Sequence, residues 1–153
     1  MFSGRQQVCR QEVGNHRSHR NGWCGESIRS TAEMQQVIRA VSTAMTAAGY
    51  LERDLFGMHM ALEEAITNAI KHGHQSDWTK RIRVRYRVGT NCVLAEVADQ
   101  GAGFDPQCVP DPLAPENVER PCGRGLLLMR HYMTWVRFND RGNRVTLCKC
   151  RSV

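Results

Sequence analysis

The run Ala61-Leu62-Glu63-Glu64-Ala65-Ile66-Thr67-Asn68-Ala69-Ile70-Lys71-His72-Gly73 decides how the chain folds and where its chemistry sits. It closes a helical pattern from about Glu52 to His72, in which Leu55, Met58, Leu62, Ile66 and Ala69 recur at helix spacing and predict a buried stripe. Glu64, Asn68, Lys71 and His72 follow at i, i+4, i+7 and i+8 on a different, polar face. Glu63 is turned about 100° away from Glu64, so Glu64 is the acid that shares a face with Asn68.

Upstream, Ser30-Thr31-Ala32-Glu33 has the form of a capping box. Met34, Val37, Ile38, Val41, Met45 and Ala48 then continue at helix spacing, and Gly49 supplies a stop. A short strand is expected near Trp23 to Arg29. The first 25 or so residues are polar and basic, with Arg5, Arg10, Arg17 and Arg20 against the single acid Glu12, and read as a mobile basic arm. His16, His19 and Cys24 lack the spacing and the second cysteine pair of a metal site.

Downstream, Arg81 to Val88 alternates cationic and apolar residues, which is the period of a strand with one wet face. A turn at Gly89-Thr90-Asn91 leads into a second strand from Cys92 to Ala98, forming a hairpin. Periodicity stops from Phe104 to Cys122, and all five prolines of the chain fall there, so residues 104–122 are expected to form a lid. A helix from Gly123 to about Met133 and strands near Trp135 to Phe138 and Arg144 to Cys150 complete the pattern. The expected fold is α+β: a two-layer α/β sandwich, with a mixed, mostly antiparallel sheet and helices on one face.

Bulk composition narrows the function classes. The 153 residues carry 41% hydrophobic and 24% charged side chains, as one ordinary globular domain does. No apolar run approaches the roughly 20 residues of a membrane helix, and Met1 to Arg20 has no apolar core of a secretory leader. Seven cysteines without a CxxC pair suggest reduced thiols and a cytoplasmic setting. The net charge of +6 is too diffuse to require nucleic acid. The strand arginines have no interleaved aromatics for base stacking, and no recognition helix collects base-reading side chains.

Three motifs carry chemistry. A carboxamide oxygen at Asn68 suits Mg²⁺ beside phosphate oxygens, and a carboxylate one turn earlier at Glu64 suits a base beside a γ-phosphate; on spacing alone the pair also fits a solvated, helix-stabilising contact. Asp99, in Asp99-Gln100-Gly101-Ala102-Gly103, can accept a hydrogen bond from an exocyclic amine such as that of adenine, while Gly101 and Gly103 permit close backbone approach. A tight turn after a strand is the other explanation of that motif. Gly123-Arg124-Gly125 opens a helix, whose free N–H groups and dipole favour phosphate. Neither a Walker P-loop nor a dinucleotide-binding GxGxxG is present.

In this order the motifs resemble the N box and the two glycine boxes of the GHKL-type ATPases, which include gyrases and histidine kinases. More closely, residues 26 to 153 resemble the anti-sigma-factor serine/threonine kinases of bacterial partner switching, the RsbW-like family. The resemblance is carried by Ala61 to Gly73 and by Gly123-Arg124-Gly125-Leu126-Leu127-Leu128-Met129-Arg130. It implies a Mg²⁺-ATP-dependent protein kinase with Glu64 as general base or water-positioner. Asn68 would ligate Mg²⁺, and Asp99 would bind the adenine amine in a pocket shaped by Gly101 and Gly103. Gly123, Arg124, Gly125 and Leu126 would present N–H groups to the phosphates. It further implies an antagonist protein (STAS-type) as substrate, a sigma factor or other regulatory protein as sequestered partner, and a homodimer. Departures are Gly142-Asn143 in place of the family's Gly-Thr, Met133-Thr134-Trp135 where relatives carry an acid, and the basic arm. An ATP-responsive module without catalysis and the ATP-binding half of a histidine kinase are the alternatives. The chain shows no dimerisation helix with a phosphoacceptor histidine.

Overall fold

The computed structural model describes residues 22–74, 77, 79–109, 113–114 and 123–153. The basic arm before residue 22, and with it His16 and His19, lies outside the described residues, as does most of the expected lid.

The expected helices and strands form, and all pack into two layers. Strand β1 (Cys24–Ile28) is followed by helices α1 (Thr31–Ala47) and α2 (Glu52–Asn68). Next come β2 (Ile82–Val88) and β3 (Cys92–Ala98), then α3 (Arg124–Tyr132), β4 (Trp135–Phe138) and β5 (Arg144–Cys150). The sheet order is β1-β2-β3-β5-β4, and all four pairings are antiparallel.

Local chemistry sets these boundaries. Ser30 is extended and its Oγ accepts the Glu33 N–H at 3.2 Å, while Glu33 reaches back to the Arg29 N–H at 2.6 Å. The capping box therefore closes one residue further upstream than its usual form. Gly49 adopts φ +77°, a left-handed conformation that ends α1 at little cost for glycine. Tyr50 then donates to the Gly89 carbonyl at 2.8 Å and ties the α1–α2 link to the β2–β3 turn.

The core lies between the sheet and the helices. Met34, Val37, Ile38, Val41 and Met45 of α1, with Met58, Leu62 and Ile66 of α2, are buried against Ile82 and Val84 of β2, Val93 and Val97 of β3 and Leu147 of β5. Burying each such side chain contributes roughly 1.5–3 kcal/mol before entropy is counted. The register explains the choice of face: Val84 opposes Val97 and Tyr86 opposes Ala95, whereas Arg85 opposes Glu96 on the other side.

That other side departs from the wet surface expected of the arginine strand. Arg83 and Arg85 are exposed, but Cys92, Leu94 and Cys148 are buried there, with Trp135 and Cys150 packed on them. The reason is in β3, whose sequence Cys-Val-Leu-Ala-Glu-Val-Ala is apolar on both faces at its start.

A buried polar knot fixes the helices at the far end of the sheet. Asp54 in the first turn of α2 is fully buried and accepts from Ser152 N at 2.9 Å and Ser152 Oγ at 2.6 Å. Lys149 Nζ lies 3.8 Å from the same carboxylate and donates to the Tyr132 carbonyl at 2.8 Å, so α2, α3 and β5 share one network. Among the described residues no helix is long and apolar enough to cross a membrane.

Candidate active site

The helix read from Glu52 to His72 is α-helical only to Asn68; Ala69–Gly73 forms a π-turn, closed by His74 N–H donating to the Ala69 carbonyl at 2.9 Å. One residue more per turn shifts the phase of everything after Ala69. Glu64 and Asn68 therefore keep their common face, half-buried, while Lys71 and His72 are turned out to solvent. The polar face expected over four residues is in fact two.

Glu64 points at the start of α3. Gly123, in the left-handed conformation with φ +85°, precedes Arg124 as the cap of that helix. A Cβ on Gly125 would overlap the Glu64 carboxylate, so glycine there is what lets the carboxylate seat against the first turn. The first-turn N–H groups of a helix lack intrahelical acceptors, and an acid held beside them marks a place where anion charge and a proton acceptor meet. Arg124 is exposed, and Leu126 turns inward, where it is buried with Met129.

Asp99 lies at the end of β3, across from the π-turn. Three successive N–H groups of its turn are each held: Asp99 N by the Asn143 carbonyl at 3.0 Å, Gln100 N by His74 Nε2 at 3.0 Å, and Gly101 N by Asp99 Oδ1 at 2.7 Å. A Cβ on Gly73 would strike the Asp99 carboxylate, and one on Gly101 would strike the Gly73 carbonyl, so these two turns interlock backbone to backbone. Asp99 Oδ2 has no donor among the described residues and is the acceptor left over.

Gly103, with φ +83°, presses on the Arg141 carbonyl in the same manner, and Gly142 presses on Phe104. Asn143 completes this wall: its Oδ1 accepts from Asn139 Nδ2 at 2.9 Å. The departure at Gly142-Asn143 thus sits directly against the Asp99 turn. In the described part of the segment expected to form a lid, the Asp105 carboxylate caps a 3-10 turn at Pro106–Cys108 by accepting from Gln107 N at 2.9 Å, a bond that holds its carboxyl below the usual range.

The structure thus brings Glu64 and Gly125 together, and Asp99 together with Gly73 and Gly101, with the end of α2 bridging the two groups. Sequence reasoning missed Gly73 and His74 as parts of the site. His72, which the sequence places on the polar face, is exposed, whereas His74 is 3% exposed and makes the bond to the Asp99 turn. Burial pushes the His74 imidazole below its usual range, against the pull of nearby Asp99 in the other direction.

The sandwich and the two glycine-lined turns belong to a domain class with known members. The histidine kinase-like ATPase domain model matches residues 29–149, and the chain belongs to that family. The similarity extends to its serine-protein kinases. The serine-protein kinase RsbW of Bacillus licheniformis is 34% identical over 108 residues, covering 66% of this chain and 68% of that protein. The serine/threonine-protein kinase BtrW of Bordetella bronchiseptica is 32% identical over 96 residues, covering 60% and 68%. RsbW of Staphylococcus epidermidis is 27% identical over 129 residues, covering 78% and 81%.

Proposed function

We propose that the chain is a Mg²⁺-ATP-dependent protein serine/threonine kinase of the partner-switching type. It phosphorylates an antagonist protein of the STAS type and alternately sequesters a sigma factor or other regulatory protein. The observation that carries this function is the seating of the Glu64 carboxylate against Gly125, which sets a proton acceptor beside a helix end suited to phosphate. The names of the similar proteins, serine-protein kinases, support the same chemistry.

Each residue then has a task. Asp99 Oδ2 accepts the adenine amine while Oδ1 stays on Gly101 N–H. Backbone N–H groups from Gly123 to Leu126 receive the phosphates. The Asn68 amide oxygen would hold Mg²⁺ together with phosphate oxygens and water. One neutral carboxamide oxygen beside phosphate oxygens and water is a donor set that suits Mg²⁺. When bound, Mg²⁺ supplies charge neutralisation on the phosphate oxygens. Glu64 accepts the proton of the attacking serine or threonine hydroxyl as its oxygen bonds to the γ-phosphorus, the phosphoanhydride bond breaks, and ADP leaves.

Incubation with ATP, Mg²⁺ and the cognate antagonist is expected to place phosphoserine or phosphothreonine on the antagonist, read by mass spectrometry. Glu64→Ala retains nucleotide and loses transfer. Asp99→Asn sets an amide N–H₂ against the adenine amine and weakens ATP binding by about 10- to 100-fold. ATP uptake without transfer to any antagonist would leave a sequestering module that catalyses nothing.

A further inference from the structure

The turn that carries Asp99 is held by three backbone N–H bonds, two of them to oxygen acceptors, the Asn143 carbonyl and the Asp99 carboxylate. The third is His74 Nε2, a nitrogen that accepts only while the ring is neutral. Gln100 has little freedom to follow any change there, because its side-chain Oε1 also accepts the Arg81 N–H at 2.9 Å. The His74 backbone is fixed as well: its N–H closes the π-turn on Ala69, and its carbonyl accepts from Asp77 N at 2.9 Å.

We propose that His74 is the positioning residue of the base-reading acid: its neutral Nε2 holds the Gln100 N–H and thereby sets where Asp99 Oδ2 points, so nucleotide affinity and base discrimination depend on this one ring. The proposal rests on the nucleotide function above and names the residue that aims its base-reading group. When a proton reaches Nε2, acceptor becomes donor, two N–H groups face each other, and the bond to Gln100 is lost. The charged and titratable groups around the ring oppose one another. Asp99 at the end of β3 and Asp77 in the following turn favour the protonated form, whereas Lys80 disfavours it. Burial decides the balance toward the neutral ring. The ring is thus an acceptor at neutral pH and gives way in acid.

The test compares wild type, His74→Gln and His74→Leu by titration calorimetry with ATP and with inosine triphosphate, which replaces the adenine amine by an oxo group, from about pH 8 to about pH 5. Glutamine Oε1 reaches the place of Nε2 and does not titrate. Wild type is expected to hold its ATP affinity at neutral pH and lose it in acid, below the ordinary imidazole range. His74→Gln keeps most of the neutral affinity and shows only the acid loss that the nucleotide's own protonation causes. His74→Leu binds ATP about tenfold more weakly, the worth of one lost bond and a released turn, and separates ATP from inosine triphosphate less than wild type does. His74→Leu matching wild type on both nucleotides, or His74→Gln showing the full wild-type acid loss, would overturn this role and leave the nucleotide site intact. If His74→Leu does not fold, the pH profiles of wild type and His74→Gln decide alone. A wild type that binds neither nucleotide at neutral pH would overturn the nucleotide function, and this role with it.

Discussion

Gly125→Ala separates stability from chemistry at the start of α3. A Cβ on this residue lies 2.7 Å from Glu64 Cγ and inside contact distance of its carboxylate. Carbon atoms sit comfortably at about 3.5–4.0 Å, so the Glu64 side chain retreats by at least about 1 Å. A displacement of that size at a reacting group costs on the order of 100-fold in rate, or about 2.7 kcal/mol of barrier. Stability moves the other way. Gly125 lies in the first turn of α3 without a positive φ, so alanine gains up to about 1 kcal/mol of helix propensity, and the end of a flexible glutamate yields cheaply. Thermal unfolding is therefore expected within a few degrees of wild type, or slightly above it. ATP affinity stays within severalfold, and phosphotransfer to the antagonist falls about 100-fold. The same substitution on a Glu64→Ala background, measured on residual transfer, is expected to add little, because the collision partner is gone. An equal loss in both backgrounds, or full transfer by Gly125→Ala alone, would refute the coupling of Gly125 to Glu64.

Gly101→Ala meets the Gly73 carbonyl, which is backbone and cannot swing aside; a loss of about 2–3 kcal/mol is expected, seen as a melting temperature lower by roughly 5–10 °C, and an unchanged melt would contradict the interlock. Asp54→Ala leaves the Ser152 N–H and hydroxyl without their shared acceptor, and the urea midpoint should correspond to about 2–3 kcal/mol of lost stability with ATP affinity retained. Acid destabilises through His74. Its folded pKa lies below the ordinary imidazole value, so its contribution is whole above that value and is lost as pH falls through it and then through the folded one. Urea midpoints across this window should fall less steeply in His74→Gln than in wild type, and equal slopes would remove His74 as the cause. Asp77, held low first by the Thr79 hydroxyl and then by the Thr79 N–H, titrates further into acid and is separable from this slope.

The fold was legible because its signals are local. The Ser30–Glu33 cap, the alternation of Arg81 to Val88 and the helix-period stripe from Met58 to Ile66 each report a burial pattern that a single element can satisfy alone. The sheet order was not legible in that way, since β5 follows β3 in the chain only after α3 and β4. In the site, Glu64, Asp99 and Gly125 stood out by residue type and spacing. Gly73 and His74 did not, because their task is defined by Asp99 and Gly101, some 26 residues away in sequence and adjacent only after folding. The π-turn was invisible for a related reason: a helical period carries no mark at the point where one extra residue enters. Asp54 would pass for an ordinary first-turn acid until Ser152 folds over it.

The π-turn at Ala69–Gly73 makes α2 a helix with two clocks. Residues up to Asn68 keep time with the sheet beneath them, and Gly73 and His74 keep time with the Asp99 turn. A one-residue deletion within Ala69–Gly73 would restore an uninterrupted α-helix and rotate every later side chain by about 100°, carrying Gly73 and His74 off the Asp99 turn while leaving Glu64 and Asn68 in place. Such a variant would keep Glu64 seated against the start of α3 while the Asp99 turn loses its partners. Length in this short segment, rather than composition, is the variable that decides whether the end of the helix engages the Asp99 turn.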